Sequence, residues 1–316
     1  MLAQEKIITI EAPAKVNLSL EVLGRRDNGY HDIRSTLLPV SLSDKITLTL
    51  TASEISREIA DDGLIDAESL KLEPPDQGLT VRAAHLLRER SGARGGVRIR
   101  IQKNIPIGGG LGGGSSDAAA VLVGLNALWG CGFTRAELQE LGGQLGCDVP
   151  ALIQGGAVSV SGTGTEVAEI PMFGLNGDAS WWMVIAYPNV AVSTRDIYER
   201  HGGSLTKADE AYKNILFSLK RGDVRLAASS LYNGLQATVL GKYPLINMIL
   251  EGMTEVGALG ALVSGSGAST FGLARDKSHA LEIETRLKER LDCAVWTCVA
   301  RTLPDGVMVA HGPLEA

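Results

Sequence analysis

The sequence predicts an α+β protein with two domains. Its 316 residues are enough for two cores of ordinary size, and strand-like and helix-like apolar patterns alternate along the chain. A polar stretch at residues 176–180 separates these patterns into domains that we place at residues 1–175 and 176–316. The last part of the chain has the order helix, strand, loop, strand, helix, strand, which is typical of a ferredoxin-like α/β sandwich.

The composition indicates a cytoplasmic enzyme. The chain is 45% apolar and 21% charged, as in ordinary globular proteins, and its net charge is −6. This acidic balance argues against broad binding to nucleic acid or to anionic membranes. No apolar run reaches the length of a membrane span, and the first residues lack the apolar core of a signal peptide.

The cysteines and histidines predict neither a disulfide framework nor a metal site. None of the four cysteines forms a C-x-x-C pair, and the five histidines are scattered along the chain. We therefore expect buried free thiols.

The first domain begins with strand patterns at residues 6–11 and 16–23, which Pro13 separates. Lys15 and Asn17 share one face of the second strand, because side chains alternate with a period of two. Taken alone, Lys15 is better explained as a lysine at the start of an edge strand.

An Asn28-Gly29 turn places Tyr30 and His31 just beyond a hairpin tip. A flat aromatic ring beside an imidazole suits a heteroaromatic ligand, because one can stack on it and the other can form hydrogen bonds. Without further evidence, the pair is better explained as ordinary surface residues.

Strands are predicted next at residues 33–40, 45–51 and 97–103, with a helix at residues 80–90. The acidic segment at residues 52–78 is predicted to be an irregular surface excursion without a chemical role.

A glycine-rich loop follows the strand at residues 97–103. From residue 105 to residue 117 the chain reads Ile-Pro-Ile-Gly-Gly-Gly-Leu-Gly-Gly-Gly-Ser-Ser-Asp. Glycine lets backbone N–H groups approach a ligand, and a helix predicted from about Ser115 adds unpaired N–H groups and a positive dipole end. This arrangement predicts a phosphate-binding loop. A flexible linker is the alternative, but the flanking segments have ordered patterns.

Two better-known phosphate-binding loops are excluded. A P-loop has a lysine after its last glycine, where this chain has Ser115. A dinucleotide-binding fold continues from the helix to a strand with an acidic residue, whereas here a capping box at Thr134 opens a second helix.

This second helix is predicted to end at Gly146, and Asp148 follows it. With Pro150 two residues later, Asp148 is equally well explained as the cap of a short helix and as a functional carboxylate. A strand is predicted at residues 155–165.

The strands and helices of the second domain are predicted from the periodicity of its apolar residues. Strands are expected at residues 181–187, 260–263, 270–274 and 294–301, and helices are expected after the Ser193 cap and at residues 209–220, 223–233, 243–256 and 276–291. A second glycine loop, Ser-Gly-Ser-Gly-Ala-Ser, occupies residues 264–269.

Three segments together resemble the GHMP kinases, the family named for galactokinase, homoserine, mevalonate and phosphomevalonate kinases. They are Pro-Ala-Lys-Val-Asn at residues 13–17, the loop at residues 106–117 and the loop at residues 264–269. The resemblance covers nearly the whole chain, and the middle motif is the specific one. It implies the two-domain GHMP kinase fold, in which the first domain is like domain 2 of ribosomal protein S5 and the second is ferredoxin-like.

Two further segments resemble one branch of that family. Gly-Arg-Arg at residues 24–26, leading into Tyr30 and His31, and Leu-Gly-Cys-Asp-Val-Pro at residues 145–150 are similar to that branch. Its members phosphorylate the 2-hydroxyl of a cytidine diphosphate-linked methylerythritol, on the non-mevalonate route to isoprenoid precursors. Cys147 stands where the family more often has alanine or serine.

The resemblance implies a role for each matching residue. Asp148 would be the general base, and Lys15 would keep it ionised and offset charge in the transition state. ATP would be the donor, as MgATP with no protein ligand assigned to the ion. The implied donor-binding residues are Lys103, Pro106, Gly108, Gly109, Gly110, Leu111, Gly112, Gly113, Gly114, Ser115 and Ser116.

For the acceptor, the resemblance implies that Tyr30 stacks on the cytosine, that His31 bonds its edge and that Tyr198 covers its other face. The implied substrate-binding residues are Asn17, Tyr30, His31, Thr194, Tyr198, Gly265, Ser266 and Gly267. Nucleic acid and membranes are not expected as partners, and the protein is expected to be a monomer or a homodimer.

Two other functions are considered. One is a different small-molecule kinase of the same family, acting on a mevalonate-like or amino-alcohol substrate. The other is a non-catalytic nucleotide-binding module, although a protein that only binds needs neither Lys15 nor Asp148.

Overall fold

Two β-sheets with helices packed on them make up the described part of the chain. The computed structural model describes residues 6–60, 63, 77–172, 180–291 and 295–310. The strands are β1 (Ile7–Arg25), β2 (His31–Thr51), β3 (Ile55–Ile59), β4 (Gly96–Gln102), β5 (Val158–Ser161), β6 (Glu166–Glu169), β7 (Trp182–Tyr187), β8 (Tyr232–Asn233), β9 (Gly260–Val263), β10 (Thr270–Ala274), β11 (Trp296–Arg301) and β12 (Met308–Ala310). The helices are α1 (Leu79–Ser91), α2 (Gly113–Trp129), α3 (Arg135–Gly143), α4 (Val149–Gln154), α5 (Thr194–His201), α6 (Asp209–Arg221), α7 (Val224–Ser229), α8 (Gln236–Lys242), α9 (Pro244–Glu255) and α10 (Lys277–Arg290).

The first sheet is built around β1 and β2, two long strands that pair antiparallel. Its main path runs β12, β1, β2, β4, β3, while β5 pairs with β2 and β6, and β8 pairs with β1. The start of the chain was predicted as two strands, but β1 is continuous, with an irregularity between Pro13 and Ala14. Proline has no N–H to donate, so the strand tolerates it where the pairing is already disturbed.

Strand β1 lies between two hydrophobic cores. Every residue from 12 to 22 is buried. Ala12 packs into a core with helix α2, whereas Val16 packs into a core that includes Phe271 of the second sheet. The part of β1 that carries Lys15 is therefore interior, and its interpretation as an edge-strand lysine is wrong.

The helices of the first half follow their sequence signals closely. Helix α1 is confirmed within one residue at each end, and α3 has the predicted capping box between Thr134 and Glu137. Helix α2 begins at Gly113, two residues before the predicted start at Ser115. Helix α3 ends at Gly143 rather than at Gly146.

The second sheet is antiparallel and has the strand order β11, β7, β10, β9. Numbered along the chain within this sheet, the order is fourth, first, third, second, which is the ferredoxin-like arrangement. This part of the predicted fold is confirmed, as are all four strands of this sheet within about two residues.

Several elements differ from the sequence prediction. Strand β3 forms inside the segment 52–78 that was predicted to be irregular, and it pairs parallel to β4. The helix predicted at residues 223–233 ends at Ser229, after which β8 pairs with β1. Helix α8 and strand β12 were not predicted. The domain boundary predicted between residues 175 and 176 lies within residues 173–179, which are outside the described residues, and it stays a prediction.

Cys131, Cys147 and Cys298 are free thiols and partly buried, while Cys293 lies outside the described residues. Within the described ranges, none of the helices has both the length and the apolar character that crossing a membrane requires.

Candidate active site

A cleft of about 930 Å³ brings together most of the residues that the sequence singles out. Its lining includes Lys15, Asn17, Tyr30, His31, Lys103, Pro106, Gly108, Gly109, Gly110, Leu111, Gly112, Gly113, Gly114, Ser115, Asp148, Thr194, Tyr198, Gly265 and Ser266. Two predicted residues are not part of this lining. Ser116 is fully buried in α2, and Gly267 faces Val239 and Val263.

The second half of the chain fixes the orientation of the glycine loop. The carbonyl oxygen of Gly108 accepts hydrogen bonds from Val192 N at 3.2 Å and Ala268 N at 3.3 Å. The carbonyl oxygen of Gly109 accepts one from Ser269 N at 2.9 Å. In a planar trans peptide the C=O and N–H groups point in opposite directions, so these bonds turn the following N–H groups away from the second sheet.

The carbonyl oxygen of Gly110 is held in the same way. It accepts hydrogen bonds from Lys15 Nζ and from Ser264 Oγ, both at 3.1 Å. The φ angle of Gly110 is +74°, and a Cβ there would lie 2.2 Å from the carbonyl oxygen of Ser264. Only glycine fits this position, because both the backbone angle and the close approach exclude a side chain.

The loop ends at the start of helix α2. Gly112 is the N-cap residue, with φ +72°, and no side chain caps the helix. The first N–H groups of the 17-residue helix therefore remain available, and the helix dipole places positive charge there. Together with the glycine loop, this helix terminus can bind an anionic phosphate.

Lys15 connects the glycine loop to Asp148. Its Nζ donates to Asn17 Oδ1 at 2.9 Å and to the carbonyl oxygen of Gly110, and it lies 3.4 Å from Asp148 Oδ2. The Lys15 side chain is 7% exposed and that of Asp148 is 36% exposed. The pair thus joins a buried cation to a carboxylate that still reaches solvent.

Asp148 occupies the N-cap position of α4, and Pro150 lies in the first turn, as predicted. Its side chain forms no capping hydrogen bond. The carboxylate is instead directed at Lys15, so the interpretation of Asp148 as a capping residue is wrong.

A second lysine lies between two buried carboxylates. Lys103 Nζ contacts Asp44 Oδ2 and lies 2.8 Å from Asp117 Oδ2. The other oxygen of Asp44 accepts hydrogen bonds from the backbone N–H groups of Asn104 at 2.6 Å and Ile105 at 2.9 Å. These bonds fix the end of β4 and the entry to the glycine loop.

Burial and charge act in opposite directions in this cluster. Burial disfavours the ammonium form of Lys103, but the charges of Asp117 and Asp44 outweigh it and raise the pKa of Lys103. Burial is the main cause that raises the pKa of the Asp117 carboxyl, to about 7. The positive charge of Lys103 lowers this pKa, and the negative charge of Asp44 raises it.

At the other end of the cleft, the His31 ring lies against Tyr198, with ring centroids 5.0 Å apart and planes tilted by 36°. Burial is the main cause that lowers the pKa of His31, followed by the charges of Arg25 and His201, so the neutral ring is favoured. Its Nε2 is buried and has no hydrogen-bond partner in the described part of the chain. Tyr30 lies in the lining and is 59% exposed.

The second glycine loop supports the first and also reaches the cleft. Asn233 holds it by donating to the carbonyl oxygens of Gly265 at 2.7 Å and Val263 at 2.8 Å. Ser266 Oγ lies 2.8 Å from Thr194 Oγ1.

Several residues of the site were not predicted. Asp44, which contacts Lys103 but does not line the cleft, was missed, and so was Asp117, which directly follows the serines of the loop. Ile59 lies in the segment that was predicted to have no chemical role, and Leu79 begins α1. Both line the cleft together with Ile101, which pairs with Ile59 across β3 and β4.

The described residues contain no cluster of three histidine, cysteine or acidic residues that could hold a metal ion. Ser116, considered as a ligand from the sequence, is fully buried and does not line the cleft.

Comparison with family models gives two matches. The GHMP kinases N terminal domain matches residues 78–156, and the GHMP kinases C terminal model matches residues 216–293.

Full-length relatives agree with these matches. The 4-diphosphocytidyl-2-C-methyl-D-erythritol kinase of Symbiobacterium thermophilum is 41% identical, over 89% of this chain and 94% of its own length. The enzyme of the same name from Caldicellulosiruptor saccharolyticus is 39% identical, over 88% and 92%.

Solved structures show the same fold. A crystal structure of 4-(cytidine 5'-diphospho)-2C-methyl-D-erythritol kinase aligns with a TM-score of 0.73 and 30% identity, covering 93% of this chain and 99% of that one. A homoserine kinase from Cytophaga hutchinsonii aligns with a TM-score of 0.75 at 21% identity, over 98% and 99%, which supports the fold alone.

Proposed function

The chain belongs to the GHMP kinases, which are ATP-dependent small-molecule kinases, and from this premise we propose that it phosphorylates the 2-hydroxyl of 4-diphosphocytidyl-2-C-methyl-D-erythritol. This reaction belongs to the non-mevalonate route to isoprenoid precursors. The observation that carries the proposal is the Lys15–Asp148 pair beside the glycine loop, in a chain whose relatives are named for this substrate.

In the proposed reaction, Asp148 accepts the proton of the attacking hydroxyl. A carboxylate suits this role when it is ionised and accessible, and Asp148 has a cation 3.4 Å away and a partly exposed side chain. Lys15 lies beside this carboxylate and offsets the negative charge that spreads over the transferred phosphoryl group.

The donor phosphates are proposed to bind at residues 108–115, which include the start of α2. The tied carbonyls of Gly108, Gly109 and Gly110 leave this part of the backbone oriented before a ligand binds. Donors that need no reorientation at the moment of reaction stabilise developing charge most effectively.

The acceptor's cytosine is proposed to bind between Tyr30 and Tyr198, with its edge on His31. The unpartnered Nε2 of His31 supports this role, because a buried ring nitrogen favours a hydrogen-bonding ligand. Both polar groups of the Asn17 side chain have partners, Lys15 and Ser35, so its contact with the substrate would be shared with these bonds.

ATP is proposed to arrive with Mg²⁺, which neutralises phosphate charge and needs few protein ligands. Chemistry at the phosphoryl group is thus left to Lys15, Asp148 and the loop. We also propose a cytoplasmic enzyme that acts as a monomer or homodimer on this small molecule.

The test is a coupled assay of ADP release with three acceptors. ADP should form with 4-diphosphocytidyl-2-C-methyl-D-erythritol and remain at background with mevalonate and homoserine. Asp148→Asn should lower kcat by about 1,000-fold or more while the acceptor still binds. Near-normal turnover in that variant would remove Asp148 from the role of base.

A variant of His31 distinguishes a kinase that recognises cytidine from a kinase of the same family that acts on another acceptor. His31→Ala should raise KM for the diphosphocytidyl acceptor by about tenfold or more, with a smaller change in kcat. If acceptor affinity is unchanged, cytidine is not recognised at His31. If no acceptor gives ADP above background, the protein is a nucleotide-binding module instead.

A further inference from the structure

Lys15 is the first member of a chain of hydrogen bonds that leads from the cleft into the protein. Its Nζ donates to Asn17 Oδ1 at 2.9 Å, and Asn17 Nδ2 donates to Ser35 Oγ at 2.9 Å. Ser35 Oγ in turn donates to the carbonyl oxygen of Ser19. Ser35 is fully buried and does not line the cleft, so the proposed reaction gives it no role.

An irregularity in the strand pairing accompanies this chain of bonds. Asn17 pairs with Leu37, but the register between β1 and β2 shifts before Ser19, which pairs with Thr36. Where the register shifts, the backbone ladder is locally disrupted, and a carbonyl group can take a side-chain donor as its partner. At Ser19 that donor is the hydroxyl of Ser35, which fixes the position of its oxygen beside Asn17.

The donors and acceptors of the chain allow only one orientation of the Asn17 amide. A carbonyl oxygen can only accept, so the single hydroxyl proton of Ser35 is used at Ser19, and Ser35 Oγ can only accept from Asn17. The ammonium group of Lys15 can only donate. Turning the amide over would place donor against donor at Lys15 and acceptor against acceptor at Ser35.

This orientation determines where the charge of Lys15 lies. The ammonium group donates to two neutral acceptors, Asn17 Oδ1 and the Gly110 carbonyl oxygen, and it lies 3.4 Å from Asp148. A turned amide would remove the first acceptor and present a donor in its place. Lys15 would then move away from Asn17, and its distances to Asp148 and to the glycine loop would no longer be fixed.

We propose that Ser35 is a positioning residue for phosphoryl transfer, because it holds the amide of Asn17 in the orientation that keeps Lys15 beside Asp148. This inference rests on the proposed function in the roles that it gives to Lys15 and Asp148. Ser35 does not reach the cleft itself, so its effect on the reaction passes through Asn17.

Ser35→Ala should lower kcat with the diphosphocytidyl acceptor by about tenfold, because the amide of Asn17 loses the acceptor that fixes it. The KM for ATP should change by less than about twofold, since the glycine loop is untouched. Thr36→Val is the matched control. It removes the next buried hydroxyl of β2, which bonds to Ser19 Oγ at 3.1 Å, and should leave kcat within about twofold of wild type. Equal falls in the two variants would assign Ser35 a structural role only.

A double-mutant cycle tests whether the effect passes through Asn17. In an Asn17→Ala background there is no amide to orient, so Ser35→Ala should change kcat by less than about twofold. If Ser35→Ala has the same effect in this background as in wild type, the two residues act independently and the proposal is overturned.

The side-chain ammonium signal of Lys15 in NMR tests the arrangement without any substrate. In protein labelled with ¹⁵N at lysine, this signal is the one that Lys15→Met removes. Ser35→Ala should shift or broaden it, whereas Thr36→Val should leave it unchanged, and an unchanged signal in Ser35→Ala would refute the proposal. A protein that shows the shift but gives no ADP with the diphosphocytidyl acceptor would retain the positioning of Lys15 by Ser35 and lose the proposed function.

Discussion

Two lysines line the same cleft, and their surroundings differ in one respect. Lys103 is enclosed by two buried carboxylates, those of Asp44 and Asp117. Lys15 has one carboxylate, the partly exposed Asp148, and its other partners are the neutral oxygens of Asn17 and Gly110. Both ammonium groups are nearly buried, but only that of Lys103 is surrounded by more negative groups than it can neutralise.

This difference indicates that Lys103 is a structural cation, whereas the charge of Lys15 is available to a ligand. The charge of Lys103 is fully offset before a ligand arrives, so it adds little net attraction for phosphate. The charge of Lys15 is only partly offset, and it can act on a phosphoryl group and on Asp148 together. Four predictions test this contrast, from the largest expected effect to the smallest.

Lys15→Met should lower kcat by about 1,000-fold or more, because Asp148 and the transferred group lose the same cation. The free energy of unfolding should change little, since the partly exposed Asp148 can be solvated. Steady-state kinetics and urea unfolding measure the two quantities. A variant that unfolds at low urea but turns over normally would reverse the assignment.

Lys103→Met, in contrast to Lys15→Met, should have its main effect on the free energy of unfolding. It leaves two carboxylates buried without a cation and should lower the free energy of unfolding by about 3–5 kcal/mol. Asp32→Asn is the control, because it breaks a surface ion pair with Arg26 and should cost less than about 1 kcal/mol. Equal losses in the two variants would contradict a structural role for Lys103.

Asn17→Asp should make the surroundings of Lys15 resemble those of Lys103. A second carboxylate at 2.9 Å would offset the ammonium charge, and kcat should fall by about tenfold. Asn17→Ser keeps a neutral acceptor and should fall less. If the two variants lose the same activity, the charge balance at Lys15 is not what matters.

Asp117→Asn should change how stability depends on pH. Because the pKa of Asp117 is raised to about 7 in the folded protein, the folded state holds a proton that the unfolded chain releases above about pH 4. Wild-type stability should therefore fall as pH rises from about 4 to about 7 and level off above.

The variant lacks this titration, so its stability relative to wild type should increase as the pH rises from about 4 to about 7, by on the order of 4 kcal/mol for a shift of about three pKa units. Urea unfolding at several pH values measures the difference. A constant difference across this range would show that Asp117 is ionised throughout.

Local patterns were sufficient to predict most of the fold. The capping box at Thr134 and the strand at residues 181–187 depend on neighbouring residues, so the sequence predicts them well. Strand β8 has two residues and exists only because it pairs with Leu20 and Ser19, far away in the chain. Such an element has no local signal.

The site was predicted unevenly for a similar reason. The glycine loop and Asp148 lie in contiguous motifs, whereas Asp44 and Asp117 gain importance only when Lys103 lies between them. A single aspartate between two predicted strands, such as Asp44, resembles many surface residues in sequence. Its burial and its bonds to Asn104 and Ile105 depend on tertiary contacts that no local pattern contains.

The hydrogen bonds of the glycine loop also connect the two halves of the chain. Each of Gly108, Gly109 and Gly110 is bonded through its carbonyl to the second half of the chain. Any sliding of the second sheet would pull on these peptide groups and tilt the N–H groups on their other side. The orientation of these N–H groups and the relative position of the two halves are therefore coupled. A ligand that binds the loop should restrict motion between the halves.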